Sequence, residues 1–170
     1  MLIAFLVVLD QACKLLVAAS ISPTPVAALP ALTDYRSVLG DGIRLVFIRN
    51  PDYAFGIAKG LPPVTQAVLF GVLPCLLLIG LAALYLLMRR EIRTFYAWSV
   101  GALVAGALSN TIDRMVHGGA VTDYVLPNVL HRLGVPRVPI FNLGDLYVVV
   151  AVFMILVGAA GSVFRPAPPK

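Results

Sequence analysis

Four apolar runs constrain this chain more than anything else in it. Each is long enough, at 1.5 Å of rise per residue, to cross a hydrocarbon core roughly 30 Å thick. They cover about Leu2–Ile21, Val64–Met88, Phe95–Arg114 and Ile140–Phe164. Lipid offers no water to an open backbone, so each run has to be a helix. Composition supports lipid as the solvent: 60% of the 170 residues are apolar and 12% charged, with a mean hydropathy of +0.95. Soluble domains run at about 45–50% apolar and 25% charged. So few charges would not cover a soluble domain of this size, which excludes the soluble and disordered classes. The two cysteines, Cys13 and Cys75, fall inside apolar runs and read as small buried hydrophobes rather than a disulfide framework.

The first run reads as a membrane span rather than a secretory signal peptide, since it lacks a basic start and carries Asp10 and Lys14 mid-run. It has no basic residue ahead of it, and the natural start can lie upstream. The net charge of +5 is scattered except at Arg89–Arg93. That cluster suits a short cytoplasmic loop better than a nucleic-acid surface. Four spans then put both termini, the inner loop 89–94 and the proline-rich tail 165–170 on the cytoplasmic side. Segments 22–63 and 115–139 fall outside. Within the first of these, Gly40–Asp41–Gly42 signals a turn, and Ile43–Arg49 is rich in β-formers. The expected fold is an all-α membrane protein: four transmembrane helices in a single integral membrane domain, with a small extracytoplasmic β-rich element between helices 1 and 2.

The few ionisable groups in or beside the spans are the informative ones. Each costs about 2.5–3.5 kcal/mol if left facing lipid, so Asp10, Lys14, Asp113, Arg114, Asp123 and Asp145 must turn inward and find partners. Asp10 and Lys14, four apart, share a helical face and read as a supporting ion pair. Asn110 and Arg114 share another, with Asp113 beside them, and read as scaffold able also to donate to a peptide carbonyl. Asp123 lies just outside the third span and Asp145 near the start of the fourth, so alternating spans bring both to one membrane face. Two carboxylates at one water–lipid boundary suit aspartic-type hydrolysis, in which a shared proton lets one activate water and the other polarise a carbonyl. Two separately solvated interfacial aspartates have the same spacing, and spacing alone favours that plainer reading.

Five elements, in order, resemble lipoprotein signal peptidase (signal peptidase II). Asp10–Gln11–Ala12–Cys13–Lys14 matches Asp-Gln-x-x-Lys. Arg49–Asn50 with Ala54–Phe55 is similar to Arg-Asn-x-Gly-Ala-Ala-Phe. Gly106–Arg114 is similar to Gly-Ala-Leu-Gly-Asn-x-x-Asp-Arg. Val121–Tyr124 and Phe141–Asp145 are similar to Val-x-Asp-Phe and Phe-Asn-x-Ala-Asp. The resemblance implies an aspartic endopeptidase of the bacterial cytoplasmic membrane, working near the outer face. Its dyad would be Asp123 and Asp145. Asn50, Asn110, Arg114 and Asn142 would hold the substrate backbone, with Asp10, Gln11, Lys14, Asp113 and Phe55 as support. It further implies prolipoprotein substrates carrying a diacylglyceryl-cysteine, cleavage just before that cysteine, membrane lipid as surroundings, a monomer, and no metal or cofactor.

Departures from the pattern are Pro51–Asp52–Tyr53, Ser109 in place of Gly and Gly144 in place of Ala. Ser109 and Gly144 are both small enough for close helix approach. His131, in a segment that also carries Arg132 and Arg137, reads as a solvated loop residue. The competing reading is a small proton-coupled transporter that uses Asp10, Lys14 and Asp113 as a relay. A metal-dependent lipid hydrolase is a third, but it wants more ligands near the aspartate pair than the chain supplies.

Overall fold

The computed structural model describes residues 1–25, 34–51, 94–135 and 138–163, together with scattered positions between 62 and 83. The second expected span, the inner loop, the tail, Asp52–Tyr53, Phe55, Cys75 and Arg137 lie largely or wholly outside the described residues.

Among the described residues the chain is helix-rich, with one small antiparallel sheet. Its elements are α1 (Leu2–Ser20), β1 (Arg36–Val38), β2 (Ile43–Asn50), the short α2 (Pro63–Gln66), α3 (Thr94–Val116), β3 (Val121–Leu126), the short α4 (Asn128–Arg132) and α5 (Leu143–Val163). By length and composition α1 and α3 can each cross a membrane, and Leu143–Gly158 is a shorter apolar stretch. The exposed faces of α1 and α5, with Phe5, Val8, Leu15, Val149 and Phe153, are apolar. That arrangement suits lipid as the surrounding solvent and would be unfavourable in water.

Small residues set the helix packing. A Cβ on Gly106 would fall well under 3.0 Å from the Gly144 carbonyl oxygen and 3.0 Å from Val148 Cγ2, so α3 and α5 cross backbone to backbone. Further along, Gly158 leaves room for the Tyr96 ring, and the two helices run antiparallel. α1 instead runs parallel to α3, with Leu2 against Gly101 at one end and Lys14 against Asp113 at the other.

The sheet, in the order β1-β2-β3, differs from the expected element in taking a strand from the segment after α3. The sequence around Asp123 shows no clear alternation, so its strand character comes from pairing. Leu45 lies opposite Val125 and Ile48 opposite Asp123, which requires a bulge between them. An extra residue there reverses the facing of the rest of β2, turning Asn50 onto the Asp123 side. Phe47 and Tyr124 pack on Val17 and Ile21 of α1 in the main apolar cluster, and the Thr24 N–H donates to the Phe47 carbonyl at 2.8 Å. The middle of the sheet therefore lies against the end of α1.

Candidate active site

Phe141 brings the start of α5 alongside β3. Its carbonyl accepts from the Tyr124 and Val125 N–H groups at 3.1 and 2.8 Å, and its own N–H donates to the Val125 carbonyl at 3.1 Å. The next residue, Asn142, is completely buried. Its Oδ1 accepts from the Asp145 N–H at 2.9 Å, while Asp145 Oδ2 accepts from the Asn142 N–H at 3.2 Å. This is a reciprocal capping box that closes the first turn of α5. Because Oδ1 is committed to the helix, Nδ2 faces away from it and donates to Asp123 Oδ1 at 2.8 Å and to the Thr122 carbonyl at 3.3 Å. One asparagine thus ties Asp123 to Asp145.

The outer oxygens of the two carboxylates are held as well. Asn50 Nδ2 donates to Asp123 Oδ2 at 2.8 Å across the diagonal of the β2–β3 pair. Asn110 Nδ2 donates to Asp145 Oδ1 at 2.7 Å from the facing helix. The amides of Asn50, Asn110 and Asn142 are therefore directed at the carboxylates, where the sequence reading aimed them at substrate backbone. Burial pushes the Asp123 carboxyl up to about 6, and the nearby Asp145 charge adds to the rise, against the Asn50 and Asn142 donors that favour the ionised form.

Behind this layer lies a second one. Lys14 Nζ sits 2.7 Å from Asp10 Oδ2 and 3.2 Å from Asp113 Oδ2, and donates to Asn110 Oδ1 at 3.0 Å. An ammonium carries three donors, and all three are used. The last contact fixes the Asn110 amide, since only Oδ1 can face Lys14, leaving Nδ2 for Asp145. Gln11 Nε2 reaches Asp113 Oδ1 at 3.1 Å and the Ser109 carbonyl and hydroxyl at 3.0 and 2.9 Å. Asp113 Oδ2 accepts from the Thr122 N–H at 2.7 Å and so anchors β3 one residue before Asp123.

Three side chains join this network that sequence reasoning did not assign to it. The Ser109 hydroxyl donates to Asp10 Oδ2 at 2.6 Å. The Tyr124 hydroxyl donates to Asp10 Oδ1 and accepts from the Leu143 N–H, both at 3.3 Å. The Thr122 hydroxyl accepts from Arg49 Nη1 at 2.7 Å. For Ser109 and Tyr124 the available signal was a polar atom at positions where Gly and Phe stand in the resembled pattern. The capping box was legible too, as Asn142 and Asp145 three apart ahead of an apolar run. Arg114 is half-buried in the last turn of α3. His131 is exposed on α4, and Phe55 lies outside the described residues.

Comparison with known proteins points the same way. Residues 2–160 match the family model described as signal peptidase (SPase) II. The lipoprotein signal peptidase of Treponema denticola is 32% identical over 149 residues, covering 88% of this chain and 80% of that protein. That of Treponema pallidum is 28% identical over 156 residues, covering 89% and 76%. A solved bacterial membrane enzyme superimposes with a TM-score of 0.73 at 24% identity, over 99% of this chain and 92% of its own. A second, at 25% identity, gives 0.66 over 93% and 89%.

Proposed function

The chain belongs to the signal peptidase II family, and from that premise we propose that it is an aspartic endopeptidase acting on diacylglyceryl-modified bacterial prolipoproteins. It cuts the peptide bond before the lipidated cysteine. Asp123 and Asp145 are its catalytic pair. The observation that carries this reading is Asn142, which donates to both carboxylates from one capped helix end.

The chemistry rests on two carboxyl groups that share a proton and titrate as a unit. The ionised member takes a proton from a water molecule, whose oxygen attacks the scissile carbonyl carbon. The protonated member donates to the carbonyl oxygen as negative charge develops there. Collapse of the tetrahedral intermediate returns a proton to the departing amine of the cysteine and restores the pair. Asn50 and Asn142 hold Asp123, and Asn110 holds Asp145. Lys14, Asp10, Gln11 and Asp113 keep those amides and β3 in place, and Arg114 contacts the substrate backbone. Among the residues described, the helix carboxylates Asp10, Asp113 and Asp145 gather with Lys14 in one network that reaches the sheet, where a diacylated cysteine held in one leaflet would be reached. A proton-coupled carrier would instead want them strung across the bilayer.

The proposed setting is a single membrane unit with four spans, both termini cytoplasmic, the site near the outer face, and a monomer. The parallel run of α1 and α3 and the antiparallel run of α5 suit that alternation. The test is cleavage of a diacylated prolipoprotein by purified Asp123→Asn and Asp145→Asn variants. These keep the shape and remove the charge. Each is expected to abolish turnover while the protein stays folded and inserted, and retained cleavage by either one refutes the assignment.

A further inference from the structure

Two buried hydroxyls lie in the polar layer behind the catalytic pair, and the chemistry above gives neither of them a part. They belong to Ser109 of α3, fully buried, and Tyr124 of β3, 4% exposed. Both converge on Asp10 of α1, itself fully buried. Ser109 donates to Asp10 Oδ2 at 2.6 Å, beside Lys14 Nζ at 2.7 Å, while Tyr124 donates to the other oxygen, Oδ1, at 3.3 Å. Gly and Phe, which stand at these two positions in the resembled pattern, have no side-chain donor. Tyr124 also makes a second bond. Its hydroxyl accepts from the Leu143 N–H at 3.3 Å. Leu143 is the first residue of α5, so this N–H has no acceptor within its own helix.

Successive residues of a strand face opposite ways, so the Tyr124 ring leaves β3 on the side away from the Asp123 carboxylate. The ring packs among Val17, Ile21 and Phe47, and close packing holds it in one rotamer. It is a stiff strut. At one end it is fixed to the residue after Asp123, and at the other it bonds the residue two before Asp145. Asn142 makes the same strand-to-helix connection on the opposite face of β3. One brace alone would leave a hinge between strand and helix start; two on opposite faces set their separation. Burial, with the Asp10 charge adding to it, pushes the Tyr124 hydroxyl well above its ordinary value. The hydroxyl therefore stays protonated and remains a donor to Asp10. Ser109 and Lys14 together keep the Asp10 carboxylate from pivoting, so the strut bears on a fixed footing.

We propose that Tyr124 and Ser109 are a coupled pair of positioning residues for the reaction, Tyr124 setting the spacing of Asp123 and Asp145 from behind and Ser109 locking the Asp10 carboxylate on which it bears. The proposal rests on the peptidase reading and adds to it two residues that touch neither substrate nor water. Spacing matters because it decides how strongly the two carboxyls share one proton. The closer they lie, the further apart the two titrations of the pair fall.

The experiment measures cleavage of a diacylated prolipoprotein by the purified full chain as wild type, Tyr124→Phe, Ser109→Ala and the double variant, across substrate concentration and pH. Ser99→Ala is the control: it removes an equally buried hydroxyl from α3, one that bonds within its own helix to the Phe95 carbonyl at 2.9 Å. Tyr124→Phe is expected to lower kcat about tenfold with KM changed by less than about twofold, part of the loss that a 1 Å displacement brings. The bell of kcat against pH should narrow on both sides as the carboxyls separate. A smaller folded fraction cannot produce that change. The charged groups of the packed elements, Asp10 and Lys14 of α1, Arg49 of β2 and Asp113 and Arg114 of α3, are all kept in these variants. Ser109→Ala should lower kcat about threefold and the double variant about a hundredfold, more than the product of the two, because Asp10 is then held by Lys14 alone. A bell of unchanged width, a loss no greater than that of Ser99→Ala, or losses that simply multiply overturns the proposal while the peptidase reading stands. Failure of the peptidase reading shows elsewhere, as a wild type that does not cleave or an Asp123→Asn variant that does, and the proposal falls with it.

Discussion

Gly106→Ala isolates the link between helix packing and catalytic geometry. The new methyl would sit well under 3.0 Å from the Gly144 carbonyl oxygen, 3.1 Å from its carbon and 3.0 Å from Val148 Cγ2. The obstacle is backbone, so no rotamer change relieves it, and α3 and α5 must separate by about 1 Å to recover ordinary contact distances. Overpacking of this kind costs about 1–3 kcal/mol of stability. The functional loss is larger relative to the change, because Gly144 precedes Asp145 and moves with it. A 1 Å displacement of a catalytic group can lower the rate about 100-fold, close to 2.7 kcal/mol in the barrier. Gly101→Ala is the matched control: it adds the same methyl to the same helix and gains the same helix propensity of about 1 kcal/mol. It meets the tip of the flexible Leu2 side chain at 3.0 Å, with Ile3 Cγ1 at an ordinary 3.9 Å. Initial rates of prolipoprotein cleavage by both purified variants, across substrate concentration, provide the assay. We expect kcat to fall by about two orders of magnitude for Gly106→Ala and to change by less than about threefold for Gly101→Ala. Equal activity of the two variants would refute the reasoning.

Other perturbations address the two polar layers. Lys14→Met leaves Asp10 and Asp113 buried without their shared cation. Breaking one side of such a network costs about 3–5 kcal/mol, to be read as a large fall in thermal midpoint in detergent; an unchanged midpoint would remove Lys14 from the support of the site. Asn50→Leu deletes a donor to ionised Asp123, a bond worth about 1.5–3 kcal/mol, or about one to two pH units. The loss favours the protonated carboxyl, so the limb of the kcat/KM profile governed by Asp123 should move to higher pH, and a fixed limb contradicts that. In wild type, the Asp123 carboxyl at about 6, up from 3.8, binds its proton more tightly in the folded state. Its contribution to stability is therefore full at low pH and lost as pH rises from about 4 to 6. Tyr124→Phe removes a hydroxyl shared by buried Asp10 and the Leu143 N–H. It should cost about 1–3 kcal/mol and lower kcat with little change in KM, and full activity at wild-type stability would show the hydroxyl to be idle.

The membrane character, the approximate reach of α1, α3 and α5, and the identity of the acidic residues were all open to sequence reasoning. Apolar run length and the cost of an unpaired charge in lipid are properties of the chain itself. Asp10 and Lys14 show how far this goes: a four-residue spacing is enough to place them together, and they pair at 2.7 Å. The motifs also carried the family resemblance that the comparisons bear out.

Only the tertiary structure decided which partner each polar group takes. The sequence offers Asn142 as a cap for its own helix, but local periodicity does not encode that its amide nitrogen goes to β3, nor that Lys14 fixes Asn110 from a helix almost a hundred residues away. The β3 strand and the β2 bulge that turns Asn50 toward Asp123 are likewise decided by pairing between distant segments. The reason is physical. Partition into lipid is a sum over each segment's own residues, whereas a buried hydrogen-bond network is set by which donors and acceptors meet once the segments pack.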